Sequence, residues 1–464
     1  MQQPDKFKDY AAQVCEQLRW KRARPVVERE IETHLRDQYD ALLQSGMPEE
    51  QAVDESIRQM GDAVEIGTSL DRVHRPKPAW GLLILTGILL LTGLGIHMFM
   101  TYESDVSGVL LKHMIAAILG AACFMGAYFM DFTILGKRPL LFFIGAIVLL
   151  GCVSLFELRS ANIHSYTAAQ LTLLLPLAYT ALLYWLRGKK YLGLILSLVG
   201  LAILGGCCMV IPSMAGMLIV AVTGAALLAV VLWGDWFKIG KLRGLIIFGV
   251  LVLLGAAAVF LCIQRSSYSM MRIAVAFHPE LDPGGQGWLG MVIRETLAGA
   301  QLLGEGAVGV YTASFPAILS DTDLLLTYLI YRIGWISLIV IMAVFAAFFA
   351  VAVCKCLKQK NMLGRLVSLA VILTLALQVL LYAALNFGIV LTGNISLPLL
   401  SYGNTALVVD MTLIGVMLSA FRTGPLVGDG DKLLPSRAGR FRWKDRFQWN
   451  DGVLTISFKK NIAS

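Results

Sequence analysis

The chain has 464 residues, of which 57% are hydrophobic and 15% charged, and its mean hydropathy is +0.71. That balance is too apolar for a soluble protein of several domains and describes an all-α polytopic membrane protein. The formal net charge of +8 does not indicate nucleic acid, because the basic residues lie in short segments between apolar runs and at the two ends, as membrane topology requires.

Residues 1–78 are strongly charged and read as a small soluble helical domain. Helical spacing runs through Lys6–Leu18, Pro25–Leu43, Pro48–Met60 and Ala63–Val73, with Ser45–Glu50 and Met60–Asp62 as stop-and-restart signals in which Gly ends one helix and Pro opens the next. No cleavable signal peptide opens the chain, so the first spanning run is expected to act as the insertion signal. The eight cysteines avoid the long loop described below and show no disulfide framework or zinc spacing, so no metal site is read from them. His34 is a lone helical histidine with a surface or packing role.

After the stop at His74–Pro78 come about ten runs long enough to cross a bilayer, at 80–100, 109–130, 139–156, 166–186, 192–211, 214–233, 244–263, 324–353, 363–391 and 403–421. The eighth and ninth are long enough to be tilted or broken. Lys137/Arg138, Arg187/Lys189/Lys190, Lys238/Lys241/Arg243 and Lys355/Lys358/Lys360/Arg365 fall in alternate connections. That alternation places both termini in the cytoplasm and the 264–323 loop, between helices 7 and 8, outside. Residues 423–464 form a basic cytoplasmic tail that alternates at period two around Asn450-Asp451-Gly452, either a small hairpin on anionic lipid or a disordered tail.

The 264–323 loop closes on an acid, Asp323, at the threshold of an apolar run. Ser320, Asp321, Thr322 and Asp323 are the residue types that cap helix N-termini, so capping competes with chemistry as the role of Asp323. Asp410 lies several residues inside the last apolar run, where a charge is costly unless paired or wetted. Lys112 and His113 sit just inside the end of the second run, where lysine can snorkel. The spacing Gly304-x-Gly306-x-x-Gly309 is not a dinucleotide fingerprint, since no strand precedes it.

The segment from Arg272 to Gly309 resembles the outer loop of the FtsW/RodA/SpoVE family, the SEDS proteins. Arg272, Phe277, Pro279, Asp282, Pro283, Gly287, Leu302, Gly304 and Gly306 fall in register with that family's pattern. Thr322-Asp323 stands at the T-D of its HTDFIF motif, followed by Gly334. Asn386-Phe387-Gly388 matches NIG, and Leu397-Pro398-Leu399-Leu400-Ser401-Tyr402-Gly403 matches LPFISYG. KHMIAAILG at Lys112–Gly120 and Asp131 agree as well. The resemblance covers residues 79–422, with residues 1–78 similar to permease-prefix domains, which implies a cytosolic docking or sensing module.

The resemblance implies a ten-helix peptidoglycan glycosyltransferase that polymerises lipid II on the outer face of the bacterial cytoplasmic membrane, in division, elongation or sporulation, with a class B penicillin-binding protein as partner. Asp323 would be the general base toward the acceptor sugar hydroxyl. Arg272 and Lys112, with Arg294 as a further candidate, would hold pyrophosphate, Arg as a fork and Lys as a point charge. A divalent cation, Mg or Mn, could assist the leaving group, although no carboxylate cage marks a site. The chain departs from the family where Glu305 replaces the lysine of GKG, where Tyr331-Arg332 replaces the two acids of GEELG, and where Ser213 replaces the acid of QPDLGT. The competing class is a non-catalytic membrane scaffold, lipid-substrate binder or transporter regulated through its amino-terminal domain.

Overall fold

The computed structural model describes the chain outside residues 1–2, 22, 105–106, 160–165, 212, 308, 310–321, 394, 402, 425–446, 451–452 and 457–464. Four helices open it: α1 (Gln3–Glu16), α2 (Arg24–Gln44), α3 (Glu49–Met60) and α4 (Ala63–His74). The stop-and-restart signals act as expected. Gly46 and Gly61 take left-handed φ of 91°, where a Cβ is strained. Pro25 stands in the first turn of α2, and Asp62 caps α4 by accepting from the Glu65 N–H at 3.0 Å. These helices close over a core of their own built on Phe7, Val14, Leu18, Val27 and Leu35.

Then follow α5 (Trp80–Ser104), α6 (Ser107–Phe129), α7 (Thr133–Lys137), α8 (Pro139–Arg159), α9 (Tyr166–Leu171), α10 (Leu175–Trp185), α11 (Lys190–Val210), α12 (Met214–Trp233), α13 (Lys241–Arg265), α14 (Ser267–Phe277), α15 (Trp288–Ala298), α16 (Leu325–Ile333), α17 (Trp335–Leu357), α18 (Met362–Asn386) and α19 (Asn404–Thr423). Among the described residues ten segments are long and apolar enough to cross a membrane, with α9 and α10 counting together as one. In the tail, β1 (Phe447–Asn450) pairs antiparallel with β2 (Val453–Ile456), so the hairpin alternative is the one adopted.

Two apolar clusters fill the bundle. One joins α5, α6, α16, α17, α18 and α19 around Phe345, Phe348, Tyr382 and Met417. The other joins α7, α8, α10, α11, α12 and α18 around Phe132, Tyr179, Leu183 and Phe237. Helix α18 serves both, and α6 lies along α19 because glycines remove the side chains that would hold them apart. A Cβ on Gly415 would stand 2.7 Å from the Phe124 carbonyl oxygen, and one on Gly120 would stand 3.4 Å from the Met411 side chain. Helix α13 is the opposite case, with none of its spanning window buried, against 78% for α19.

The expected eighth run, 324–353, is broken in two. Gly334 takes φ +107° and separates the nine-residue α16 from the spanning α17, so Asp323 stands ahead of a short helix and not at the threshold of the spanning one. The ninth run ends at Asn386, and residues 387–403 return without helix. The long loop is itself largely helical, since α14 and α15 occupy much of it. Replacing Gly334 by Ala should cost about 1–3 kcal/mol for the forced backbone conformation, because the new Cβ would also meet the Leu302 carbonyl oxygen at 2.5 Å. Thermal unfolding in detergent should show a lowered midpoint, whereas Gly249→Ala, where a Cβ meets nothing within 4 Å, should leave the midpoint in place.

Candidate functional site

Three polar side chains, Gln378, Tyr382 and Asn386, recur every four residues along α18 and so share one face of an otherwise apolar helix. Asn386 is the hub. Its Oδ1 accepts from the Thr327 N–H at 2.9 Å and from the Thr327 hydroxyl at 2.8 Å. Its Nδ2 donates to the Asp323 carbonyl at 3.0 Å and to the Tyr382 carbonyl at 2.9 Å. The Tyr382 hydroxyl is hydrogen-bonded to the backbone of Leu325 and Leu326 and lies in the field of Asp323. The orphan N–H groups at the start of α16 are therefore met from α18. The cap on Thr327 is Asn386, not a member of the Ser320–Asp323 run, of which Ser320 and Asp321 lie outside the described residues.

Asp323 sits in the 3-10 turn Thr322–Leu324, half-buried. The next residue, Leu324, is buried against Val292 and Ile293 of α15, which pins the turn from its other side. Helix α15 also carries Arg294. Its Nη2 donates to the Phe277 carbonyl at 2.6 Å, and its Nη1 stands 3.5 Å from Glu280 Oε2. Gly388, at φ +82°, leaves room for this side chain, since a Cβ there would meet Arg294 Cγ at 3.0 Å. The Glu280 carboxyl is held below the usual range, first by its own backbone N–H and then by Arg294 and His278. The turn Asn386-Phe387-Gly388 thus bonds the Asp323 backbone through Asn386 and leaves room for the Arg294 stem at Gly388.

The other proposed phosphate ligands are carried by α6 and α14. Lys112 is exposed and lines a groove of about 310 Å³ with Ile115, Ala116, Leu119, Asn404, Thr405 and Val408, between α6 and α19. Arg272 is exposed on α14, and among the described residues no hydrogen bond or ion pair holds it. His113, next to Lys112 in the sequence, is buried, its ring 4.1 Å from that of His97.

The motif residues of the loop build its turns. Pro279 is buried beneath Gly290, and Asp282 accepts from the Gln286 N–H at 2.9 Å while its carbonyl takes the Gly287 N–H at 3.0 Å. Pro283 is exposed in the same turn. Gly304 and Gly306 donate to the carbonyls of Ile333 and Tyr331 at 2.9 and 2.8 Å, and Trp335 donates back to Gln301 at 3.0 Å. This ladder is closed by an ion pair between Glu305 and Arg332.

In the returning segment, Pro398 is buried, and the Ser401 hydroxyl accepts from the Leu397 N–H at 2.8 Å. Gly403 lets the Tyr166 hydroxyl within 3.1 Å of its Cβ position. Tyr402 lies outside the described residues. Asp410 is buried and 3.4 Å from Gln378 Nε2. Among the described residues no group of three or more His, Cys, Asp or Glu could hold a metal ion. Tyr382, Thr327 and Gln378 were not foreseen as site residues; the i, i+4, i+8 recurrence on α18 is the signal that would have found Tyr382 and Gln378.

A family model described as cell cycle protein, FtsW/RodA/SpoVE, matches residues 77–424. The chain is similar to the "Probable peptidoglycan glycosyltransferase FtsW" of Trichlorobacter lovleyi, 25% identical over 173 residues, which covers 37% of this chain and 45% of that one. It is also 25% identical over 175 residues to the stage V sporulation protein E of Bacillus subtilis, covering 38% of this chain and 48% of that one. The chain spans about half the length of the curated relatives it matches. In fold it is similar to a chain of a solved peptidoglycan synthase complex that coordinates polymerization and crosslinking, with TM-score 0.55, 20% identity, and 74% of this chain and 98% of that chain covered.

Two measurements test this corner. Asn386→Ala leaves buried backbone groups of Thr327 and Asp323 without their partner, and should cost about 1–3 kcal/mol, read as a lowered thermal midpoint. Glu305→Lys and Arg332→Glu should each destabilise, and the double variant should recover, with a coupling of about 0.2–1 kcal/mol in a double-mutant cycle, since the pair is partly exposed.

Proposed function

The chain belongs to the FtsW/RodA/SpoVE family of cell cycle proteins, and on that premise we propose that it is a peptidoglycan glycosyltransferase that polymerises lipid II or a related lipid-linked glycan. In this reading it lies in the bacterial cytoplasmic membrane, with both termini cytoplasmic and the 264–323 loop outside. Residues 1–78 form a cytoplasmic module for a cytosolic partner, residues 79–422 the catalytic bundle, and residues 423–464 the tail. A class B penicillin-binding protein is the expected partner.

The observation that carries the reading is the Asn386 hub. It fixes the backbone of Asp323 and meets the Thr327 N–H at the start of α16, so the acid is held at a defined place on the bundle. As general base, the carboxylate accepts the proton of the acceptor sugar hydroxyl as its oxygen attacks the anomeric carbon and the pyrophosphate leaves with its bonding electrons. Arg294, whose stem passes Gly388 and whose guanidinium is bonded to Phe277 and Glu280, is in this reading a candidate cation to meet the departing charge, with Arg272. Lys112, with Asn404 and Thr405 beside it, suits a phosphate at the mouth of an apolar groove that could hold a prenyl chain.

The absence of the family's acids at Ser213, Tyr331 and Arg332 favours a second reading, in which the fold binds a lipid-linked glycan as a non-catalytic scaffold or transporter. Polymerisation of labelled lipid II by the purified full chain, alone and with a penicillin-binding partner, separates the two. Under the enzyme reading Asp323→Asn should lower the rate by about 10²–10⁴-fold, and Lys112→Ala should act mainly on KM. Full activity in Asp323→Asn would overturn the mechanism, and absence of polymerisation by the unaltered chain with every partner tried would support the scaffold.

A further inference from the structure

Two turns below Asn386 on the same face of α18, Gln378 meets Asp410 of α19 in the middle of the bundle. Both are buried, with side chains 0% and 1% exposed. Gln378 Nε2 donates to the Ser396 carbonyl at 3.1 Å, and lies 3.3 Å from the Ser396 hydroxyl and 3.4 Å from Asp410 Oδ2. The Leu399 backbone also hydrogen-bonds the Asp410 carboxyl, and Leu399 holds a left-handed φ of 63°, which a branched residue adopts only when its surroundings enforce it. Two oxygens remain without a hydrogen-bond partner: Asp410 Oδ1 and Gln378 Oε1.

Both are acceptors, and buried acceptors are almost always satisfied. An ionised carboxylate here would also be a charge in a membrane interior without a counter-ion. The charged and titratable groups on the elements packed around it lie apart. On α6, Lys112 stands beside Asn404–Val408 at the head of α19, and His113 stacks on His97. On α5, His97 is bonded to the Leu400 carbonyl. On α18, Tyr382 faces the start of α16. Arg422, at the far end of α19, lies over Tyr128. Among the described residues no salt bridge reaches Asp410.

We propose that Asp410 and Gln378 form a buried proton-binding site, in which Asp410 is a neutral carboxylic acid whose O–H donates to Gln378 Oε1. One proton satisfies both orphan oxygens and removes the uncompensated charge. A metal cation fits less well, because cations of this kind take about six oxygen ligands and two unpaired oxygens are on offer. The acid then locks the 395–401 segment, since the same carboxyl bonds Leu399 while Gln378 bonds Ser396. The site does not depend on the glycosyltransferase reading, and its test uses no activity.

Infrared spectroscopy of the full chain in lipid at about pH 8 tests it. The chain has 31 Asp and Glu residues, and ordinary carboxyls are ionised at that pH. The unaltered protein should show the C=O stretch of a protonated carboxyl, and Asp410→Asn, whose amide N–H can donate to the same Gln378 oxygen, should fold with an unchanged melting midpoint and lack the band. Gln378→Leu should shift the band to higher frequency as the acid loses its acceptor. Absence of the band in the unaltered chain, or its persistence in Asp410→Asn, overturns the proposal. So does a chain without the band that is stabilised by sodium and not by choline, which would make the site a metal-cation site.

Discussion

In a bilayer interior, a backbone N–H or C=O that leaves the helix ladder finds no water, so every non-helical segment must be satisfied by the protein itself. One such segment shapes this molecule, the described part of the return at 387–403, and polar side chains on the spanning helices hold it. Gln378 takes Ser396, His97 takes Leu400, and Ser401 closes its own turn on Leu397. Asn386, at the point where α18 ends, holds the start of α16 instead. The site at Asp323 is thus a by-product of the same obligation: the residues that make irregular backbone tolerable also place an acid beside a lipid-facing bundle.

The departures from the family pattern look different once the side chains are seen together. Glu305 in place of a lysine and Arg332 in place of an acid each read as a reversal of charge, yet the two meet as an ion pair. The pair supplies an attraction across the ladder, while Tyr331 in place of the second acid leaves the local charge one unit more positive than the family pattern. The ladder between 301–306 and 331–336 therefore needs no new support, and the altered residues bear less on the chemistry of Asp323 than their change of charge implies.

Much of this was legible beforehand where the cause is local or compositional. Hydropathy alone marked the ten spans, Gly46, Gly61 and Pro25 marked the breaks of the first four helices, and the length of the eighth run allowed for the interruption that Gly334 makes. Motif resemblance brought Asp323, Asn386 and Gly388 forward. What stayed hidden was the partnership across sequence: Thr327 lies 59 residues from Asn386, and no period or spacing announces such a bond.

Helix α13 carries a consequence of another kind. Its 25 residues span about 37 Å at about 1.5 Å per residue, longer than the roughly 30 Å of a typical hydrocarbon core. None of its spanning window is buried, and Leu245 and Phe248 near its start pack against the bundle, so hydrophobic mismatch acts on its lean together with that packing. Helix α14 follows after the single residue Ser266 and carries Arg272, so the height of that guanidinium above the bundle becomes a function of bilayer thickness. Membrane composition would then reach this end of the protein mechanically, through the lean of one helix.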